Sequence, residues 1–385
     1  MEFICTQENL NKALLAVEKI ITKNTTLPIL SNVLLETDNS RLKISATNLE
    51  IGVSYWIGAK IEKEGSVTIP ARVLSSYISK LPNKKINFKT NESNVLNISL
   101  DEITTNVKGI DSKEFPIIPK LNEKPVGEVK NIDFKNALLS TIMASATSEV
   151  RPELSGIYLY FDFINKTLTI VATDSHRLAE KVIPLSKGEY EQGENTAVIL
   201  PKNTAQELIR VLDNAALTEI TLSANQILFS MDGISLISRL IDSKYPDYKQ
   251  IIPQSFEREV TLETKPLINL IRIAGLFSDT QLMNVTFKTD IAKSIMTIKS
   301  ESEQIGSNEA KIKAQIKINQ KEGSDKKEVG KDIEIVFNHK QLLEGLSVIF
   351  DEKVVLSMNN SSAPAILKPE DAKANYLYVI MPKVI

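Results

Sequence analysis

Apolar residues recur at helical spacing in six segments of the chain, the pattern of amphipathic helices that bury one face. The first covers residues 6–21 and places Leu10, Leu14, Val17 and Ile21 on one side. The second, about 70–82, uses Val73, Leu74, Tyr77, Ile78 and Leu81, and the third, about 131–147, uses Phe134, Leu138, Leu139 and Ile142. A fourth runs over 201–215 with Leu208, Ile209 and Leu212. The fifth carries Leu267, Leu270, Ile271 and Ala274, and the sixth Leu342, Leu343, Leu346 and Ile349. Pro70, Pro201 and Pro266 stand near three of the starts, where the missing N–H costs nothing and the fixed φ suits a first turn. Short runs of alternating or β-branched residues lie between the helices, at 33–36, 42–46, 156–161, 168–172, 220–222 and 333–337, and read as strands.

These elements repeat. Asp111-Ser112-Lys113-Glu114-Phe115-Pro116 returns about 131 positions later as Asp242-Ser243-Lys244-Tyr245-Pro246, each copy followed by a Pro-containing stretch that ends near Pro119 or Pro253. A residue before proline is held extended, so both copies read as connectors between domains. Ala46-Thr47-Asn48 is echoed by Ala172-Thr173-Asp174. The spacing therefore predicts three similar domains of two helices plus strands, with boundaries at 1–125, 126–254 and 255–385. Residues 319–332, rich in Lys, Glu and Gly without apolar periodicity, read as a solvated loop in the third.

A length of 385 residues suits three cores rather than one, and 42% hydrophobic with 24% charged residues is the balance of a folded globular chain. The first residues are polar and acidic rather than a secretory leader, and no apolar run reaches the ~18 residues of a membrane span, so the cytoplasm is the expected location. The one cysteine, Cys5, excludes an internal disulfide and reads as core. A formal net charge of −2 gives no overall attraction for nucleic acid, so any contact with DNA must rest on charge arranged locally.

Candidate chemistry is sparse. The chain has no phosphate-binding glycine loop or dinucleotide fingerprint, and two histidines cannot build a His-rich metal site, so neither metal nor cofactor is expected. Asp174, Ser175 and His176 could in principle form a nucleophilic set, which keeps a hydrolase among the alternatives. Neighbours on an extended segment point to alternating sides, which works against a triad. His176 reads as a turn residue near the surface, and His339, at the start of the sixth helix, as a capping or surface residue.

Four pieces of the chain, in order, resemble the beta subunit of bacterial DNA polymerase III, the sliding clamp. They are Thr26-Leu27-Pro28-Ile29-Leu30-Ser31-Asn32, Ala172-Thr173-Asp174-Ser175-His176-Arg177-Leu178-Ala179, Tyr245-Pro246-Asp247-Tyr248 and Tyr378-Val379-Ile380-Met381-Pro382. The resemblance implies an α+β fold, the DNA clamp fold, of three tandem domains, each with two helices on antiparallel sheets. Two subunits would join head to tail in a ring that encircles duplex DNA, with helices lining the hole. It implies a processivity subunit without a catalytic site, whose partners are double-stranded DNA, a second copy of itself, the polymerase III alpha subunit, the clamp loader, and other polymerases and repair proteins, with no membrane partner.

The resemblance also places sites. Partner peptides would dock between the second and third domains on Leu154, Thr173, Ser175, His176, Arg177 and Leu178, on Pro246, Ile251 and Leu282, and on Asn338, Ser362, Val379, Ile380, Met381 and Pro382. An aliphatic floor with a polar rim is the usual build of a peptide pocket. Lys12 and Lys19, seven apart on one helix face, lead the candidates to face DNA. Lys23, Arg72, Lys80, Lys135, Lys202, Arg210, Lys265 and Arg272 lie in or beside the other helices. Leu276 and Phe277 would meet the region of Val107 of a second subunit. The chain departs from the family pattern at Ser175, commonly Gly, at Gln250, often Arg, and at Gln341, in place of an aromatic residue, and its tail ends Lys383-Val384-Ile385. The remaining alternative is a repeated helix-on-sheet module that holds a lipid or protein partner without encircling DNA.

Overall fold

The computed structural model describes residues 1–21, 27–148, 150–186, 195–212, 216–319 and 332–383. All six expected helices are present: α1 (Gln7–Glu18), α2 (Ala71–Ile78), α3 (Asn131–Thr141), α5 (Lys202–Val211), α6 (Thr264–Gly275) and α7 (His339–Leu346), with one short turn of helix, α4 (Pro152–Ser155), that periodicity could not show. Thr6 caps α1 by accepting from the Asn9 N–H, and Leu10, Leu14 and Val17 are wholly buried beneath it. Pro70 and Pro201 immediately precede α2 and α5, as the start signals require.

Three helix readings need correction. The third helix stops at Thr141 rather than near 147. Ser140 and Thr141 turn their hydroxyls back to the Ala137 carbonyl, at 3.0 and 2.9 Å, and the chain tightens into a short 3₁₀ turn. Val73 and Leu139 are 53% and 42% exposed instead of joining the core, because Ala71, Leu74, Ser75 and Ile78 form the inner face of α2 and Phe134, Ala137 and Leu138 that of α3. The predicted loop at 319–332 lies, apart from its two ends, outside the described residues, as does the end of the fourth predicted helix at 213–215.

The chain forms two compact units. Unit 1 (1–135, 185–194 and 203–241) holds a five-stranded and an eight-stranded sheet. The five-stranded sheet runs Lys60–Lys63, Glu2–Thr6, Lys85–Thr90, Val95–Leu100, Ile103–Lys108. The eight-stranded sheet runs Gly127–Lys130, Leu217–Leu222, Gln226–Met231, Ile234–Arg239, Ile51–Gly58, Arg41–Thr47, Asn32–Asp38, Ser66–Pro70. Unit 2 (136–184, 195–202 and 242–385) holds a nine-stranded sheet: Thr196–Pro201, Gly156–Asp162, Thr167–Thr173, Arg177–Pro184, Tyr376–Ile380, Ala365–Pro369, Lys353–Met358, Arg258–Glu263, Gln315–Ile318. Its four-stranded sheet runs Gly306–Lys313, Ile295–Ser302, Asn284–Asp290, Glu334–Asn338. Every pairing between these strands is antiparallel, so each sheet can cover a core on one face and meet water on the other.

The sheets explain how a threefold repeat becomes two units. Each repeat contains two three-strand meanders. In unit 1 the last strand of one meander, Ile234–Arg239, pairs with the last strand of another, Ile51–Gly58, with Leu236 opposite Val53. In unit 2 Arg177–Pro184 pairs with Tyr376–Ile380 in the same way, with Leu178 opposite Val379. Hydrogen-bonded sheets thus run through both expected domain boundaries. The connector repeats anchor beside these seams. Phe115 packs with Ile29 and Leu30, and Tyr245 stacks on Tyr158 with centroids 4.6 Å apart.

Cys5 is buried in the strand Glu2–Thr6, as expected, and burial pushes its thiol up to about 12. Gly345 marks the tightest packing of α7. A Cβ built there would lie 2.5 Å from the ring of Tyr378, which is fully buried and tied through its hydroxyl to the Gln341 carbonyl at 2.8 Å. Gly345→Ala therefore overpacks a ring that cannot move aside. It is expected to cost about 1–3 kcal/mol despite alanine's better helix propensity, read as a lower midpoint in urea unfolding.

His339 is half-buried against α6 rather than capping α7, a task taken by Asn338, whose Oδ1 accepts from the N–H groups of Lys340 and Gln341. A Cβ on Gly275 would stand 2.7 Å from His339 Nδ1. Burial, with Lys340 adding to it, holds the imidazole below its ordinary value. The folded chain therefore resists a proton that the unfolded chain accepts. This histidine's stability contribution is complete above the ordinary histidine value and falls away as pH drops below it. The melting temperature is expected to fall between about pH 7 and about pH 5 more steeply for the wild type than for His339→Gln.

Candidate functional site

Unit 2 gathers most of the expected peptide-site residues around one turn. Between the strands Thr167–Thr173 and Arg177–Pro184, Asp174 Oδ1 accepts the main-chain N–H groups of His176 (2.9 Å) and Arg177 (3.0 Å). Thr173 Oγ1 donates to the Arg177 carbonyl at 2.6 Å and accepts from the Ser175 N–H at 3.2 Å. These local bonds make an Asx-type turn and hold Ser175 at φ +76°, the left-handed region where a glycine sits without strain. The glycine that the resemblance puts at this position would sit there without strain.

Arg177 fixes the turn to its surroundings. Its Nε donates to Asp174 Oδ2 at 3.0 Å, one terminal nitrogen bonds Glu344 of α7, and the other bonds the Met143 carbonyl. Burial works against its charge, but Tyr378 and Glu344 outweigh it and hold the guanidinium above its ordinary value. Arg151 reaches the rim from the other side and donates to Ser175 Oγ at 3.2 Å. Tyr378 stands in one of the four quoted pieces without being expected at the site, and Arg151 and Glu344 escaped the sequence reading as site residues. They come together only through tertiary contacts and follow no local spacing.

The same bonds answer the hydrolase alternative. Asp174 accepts from the main chain of His176 and from Arg177, while Ser175 Oγ accepts from Arg151. The carboxylate therefore orders a turn, and its bonds among the described residues go to main-chain N–H groups and the Arg177 side chain.

The chain's last strand supplies the floor. Tyr376–Ile380 lies between Arg177–Pro184 and Ala365–Pro369, which sets Ile380 opposite Arg177 and Ala365. Beyond it the Met381 N–H donates to the His176 carbonyl at 2.9 Å and the Lys383 N–H to the Val336 carbonyl at 2.8 Å, while Lys383 Nζ reaches the Leu282 carbonyl. The tail thus straps the turn to the region of Leu282 and Asn338, with Pro382 in the strap.

Leu154, Thr173, Leu178, Val379 and Ile380 are buried beneath the surface of this region. Ile251, Leu282 and Met381 are 45%, 56% and 37% exposed and offer apolar surface, beside exposed Ser175, His176, Pro246 and Ser362. Tyr248 donates to Glu180 at 2.7 Å and so carries the Pro246–Ile251 stretch onto the strand Arg177–Pro184. Ser362 lies three residues before Ala365, the partner of Ile380.

The expected DNA-facing cations divide. Lys12, Lys19, Arg72, Lys80, Lys265 and Arg272 are exposed on or beside α1, α2 and α6, and Lys202 is half-exposed at the start of α5. Arg210 is ion-paired with Glu207, and Lys135 donates to the Leu212 carbonyl at 3.1 Å, past the end of α5. Lys23 lies outside the described residues. Of the expected seam residues, Val107 is buried in the strand Ile103–Lys108, Leu276 is 70% exposed at the end of α6, and Phe277 is half-buried after it.

Comparison with known proteins shows the family to which the chain belongs. Models of the N-terminal, central and C-terminal domains of the DNA polymerase III beta subunit match residues 1–119, 128–247 and 249–384. The chain is 27% identical over 364 residues to a beta sliding clamp of Halalkalibacterium halodurans, covering 92% of both, and 26% identical to one from Synechocystis, covering 99% of both. The crystal structure of a DNA polymerase sliding clamp from Bacillus subtilis superposes with a TM-score of 0.91 at 26% identity, over 100% of this chain and 99% of that one. The beta subunit from the DNA polymerase of Streptococcus pyogenes also gives 0.91, at 25% identity over the whole of both. The fold class is thus that of a tandem three-domain clamp. The chain belongs to the family of DNA polymerase III beta subunits, the bacterial sliding clamps.

Proposed function

We propose that this sliding clamp works as two chains joined head to tail around duplex DNA, in three domains per chain bounded at 1–125, 126–254 and 255–385. The observation that carries this is the rule of the seams. In each unit one meander's last strand pairs with another's, and two last strands, Ile103–Lys108 and Gly306–Lys313, stand at sheet edges with no neighbour on their outer side among the described residues. A second copy completes the pattern by pairing one edge with the other, and two such contacts close a ring. Leu276 and Phe277 end α6, which packs against Gly306–Lys313, so they flank the same seam, and Val107 lies on the opposing edge.

Within the ring Lys12, Lys19, Arg72, Lys80, Lys202, Lys265 and Arg272 face the DNA, with Lys23, Lys135 and Arg210 as lesser contributors. Encirclement replaces affinity, which reconciles DNA binding with a net charge of −2. The groove on the 173–177 turn and the 381–383 tail takes an extended apolar peptide from the polymerase alpha subunit, the clamp loader, or other polymerases and repair proteins. The task requires no cofactor and no catalytic group of its own, and it belongs in the cytoplasm, where the bacterial chromosome is copied.

Sedimentation in solution tests the assembly. A species of twice the 42.8 kDa chain mass at micromolar concentration is expected. A monomer would remove the ring and favour a binding module that never encircles DNA.

A further inference from the structure

Unit 1 carries a second copy of the turn that orders the candidate peptide groove. Thr47 Oγ1 donates to the Ile51 carbonyl and accepts from the Leu49 N–H, both at 3.0 Å, while Asn48 Oδ1 accepts from the N–H groups of Glu50 (3.0 Å) and Ile51 (2.8 Å). The 173–177 turn has the same four bonds, and they hold Leu49 at φ +75° as those hold Ser175 at +76°. The strand beside the turn repeats as well. Ile51 lies opposite Ser238 and the Arg239 N–H donates to the Glu50 carbonyl at 3.0 Å, just as Arg177 lies opposite Ile380 and the Met381 N–H donates to the His176 carbonyl. The connectors complete the correspondence. Ile117-Ile118-Pro119 matches Ile251-Ile252-Pro253, although the second copy carries residues 247–250 between its proline and its isoleucines, so Ile117 is the counterpart of Ile251.

These residues enclose a hollow of about 210 Å³, whose apolar lining is Leu49, Gly52, Pro116, Ile117, Ile118 and Ile237. It is smaller than the ~300–1,000 Å³ of a whole small-ligand site and suits one large side chain. The floor explains the size. Gly52 is the counterpart of Leu178, and Ile118 of the connector fills the space that the missing side chain frees, so that a Cβ on Gly52 would stand 2.9 Å from Ile118 Cγ2. The rim stays apolar and open to water. Leu49 is 48% exposed and Ile117, at 92%, is the most exposed large apolar side chain among the described residues. Apolar surface left open beside a preformed hollow marks a place of association.

We propose that this hollow is a second docking point for the extended peptides of the clamp's partners, taking one large apolar side chain between Leu49 and Ile117. The occupant follows from the repeat. A turn, a strand N–H and an Ile-Ile-Pro segment that in unit 2 suit an extended apolar peptide are set out again here, and the inference rests on that reading of the groove. The rim selects differently, because Glu50 and Arg239, both exposed, replace His176 and Met381, so polar residues must flank the apolar anchor. With a single side chain to bury, this site is weaker than the groove and fills only at peptide concentrations well above those that saturate the groove.

Isothermal titration of the full-length protein with the clamp-binding peptide of its cognate polymerase, carried to high excess, tests this. A tight equivalent per chain followed by a weak one is expected. Leu49→Asp combined with Ile117→Asp should weaken the second by about tenfold or more and leave the first, and the melting temperature, unchanged. Neither side chain belongs to the core, and aspartate tolerates the left-handed backbone at position 49 better than leucine does. A peptide with its apolar residues changed to serine should fill neither site. A single equivalent per chain, a weak equivalent that survives the double change, or one that takes the serine peptide equally well would overturn the proposal and leave the groove standing. A wild type that takes up no peptide at all removes the groove reading and this one together.

Discussion

Leu276→Asp is expected to split the dimer into single chains that keep their fold. Leu276 is 70% exposed at the end of α6, so an aspartate there leaves the chain's own core intact and should not move the unfolding midpoint. In a ring the same position lies against the edge of a second copy, where a carboxylate must shed water without gaining a partner. Loss of a central apolar anchor costs an interface about 2 kcal/mol or more, roughly thirtyfold. A closed ring of two identical chains carries the change at both seams, so dimerisation should weaken by about a thousandfold. Sedimentation across a concentration series reads this directly. An unaltered dimer would place the contact elsewhere, and the unpaired edges at 103–108 and 306–313 would then need another explanation.

The second large effect concerns the groove. Changing Ile251 and Leu282 together to aspartate is expected to abolish partner-peptide binding while the protein stays folded and dimeric. Both side chains are about half-exposed, so the fold loses little, yet they supply apolar surface beside the 173–177 turn and the 381–383 tail. An extended peptide that buries its apolar side chains there would lose about 3 kcal/mol or more, on the order of a hundredfold in affinity. Fluorescence anisotropy with a labelled clamp-binding peptide of the cognate polymerase measures it. His176→Ala, at the rim, should weaken binding by less. Undiminished affinity in the double variant would move the peptide site off this surface.

The sequence exposed the six helices because each needs an apolar face at helical spacing, and α1, α5, α6 and α7 lie close to where that spacing puts them. It exposed the repeat because Phe115 and Tyr245 perform the same anchoring in two places. It could not show that sheets cross the domain boundaries. The pairing of Leu236 with Val53 and of Leu178 with Val379 is set by register between strands far apart in the chain, and alternation within a strand does not name its neighbour. The site divides along the same line. Residues in a local motif, such as Thr173 through Leu178 and Val379 through Pro382, could be quoted in advance. Arg151 and Glu344, which brace Ser175 and Arg177, carry no periodic signal. Ser175 shows a third case: its positive φ, which would suit a glycine, is set by the hydrogen bonds of the turn and cannot be read from the residue itself.

The central claim is that attachment to DNA is topological. The most direct measurement loads the protein onto nicked circular DNA with its cognate clamp loader and ATP, then compares retention before and after the circle is cut once. The account predicts protein that stays on intact circles at moderate salt and is lost when they are linearised, because a closed ring can leave only over an end. Protein that never persists on circles while the same loader is active with a control clamp, or that remains on the linear product as firmly as on the circle, would contradict it.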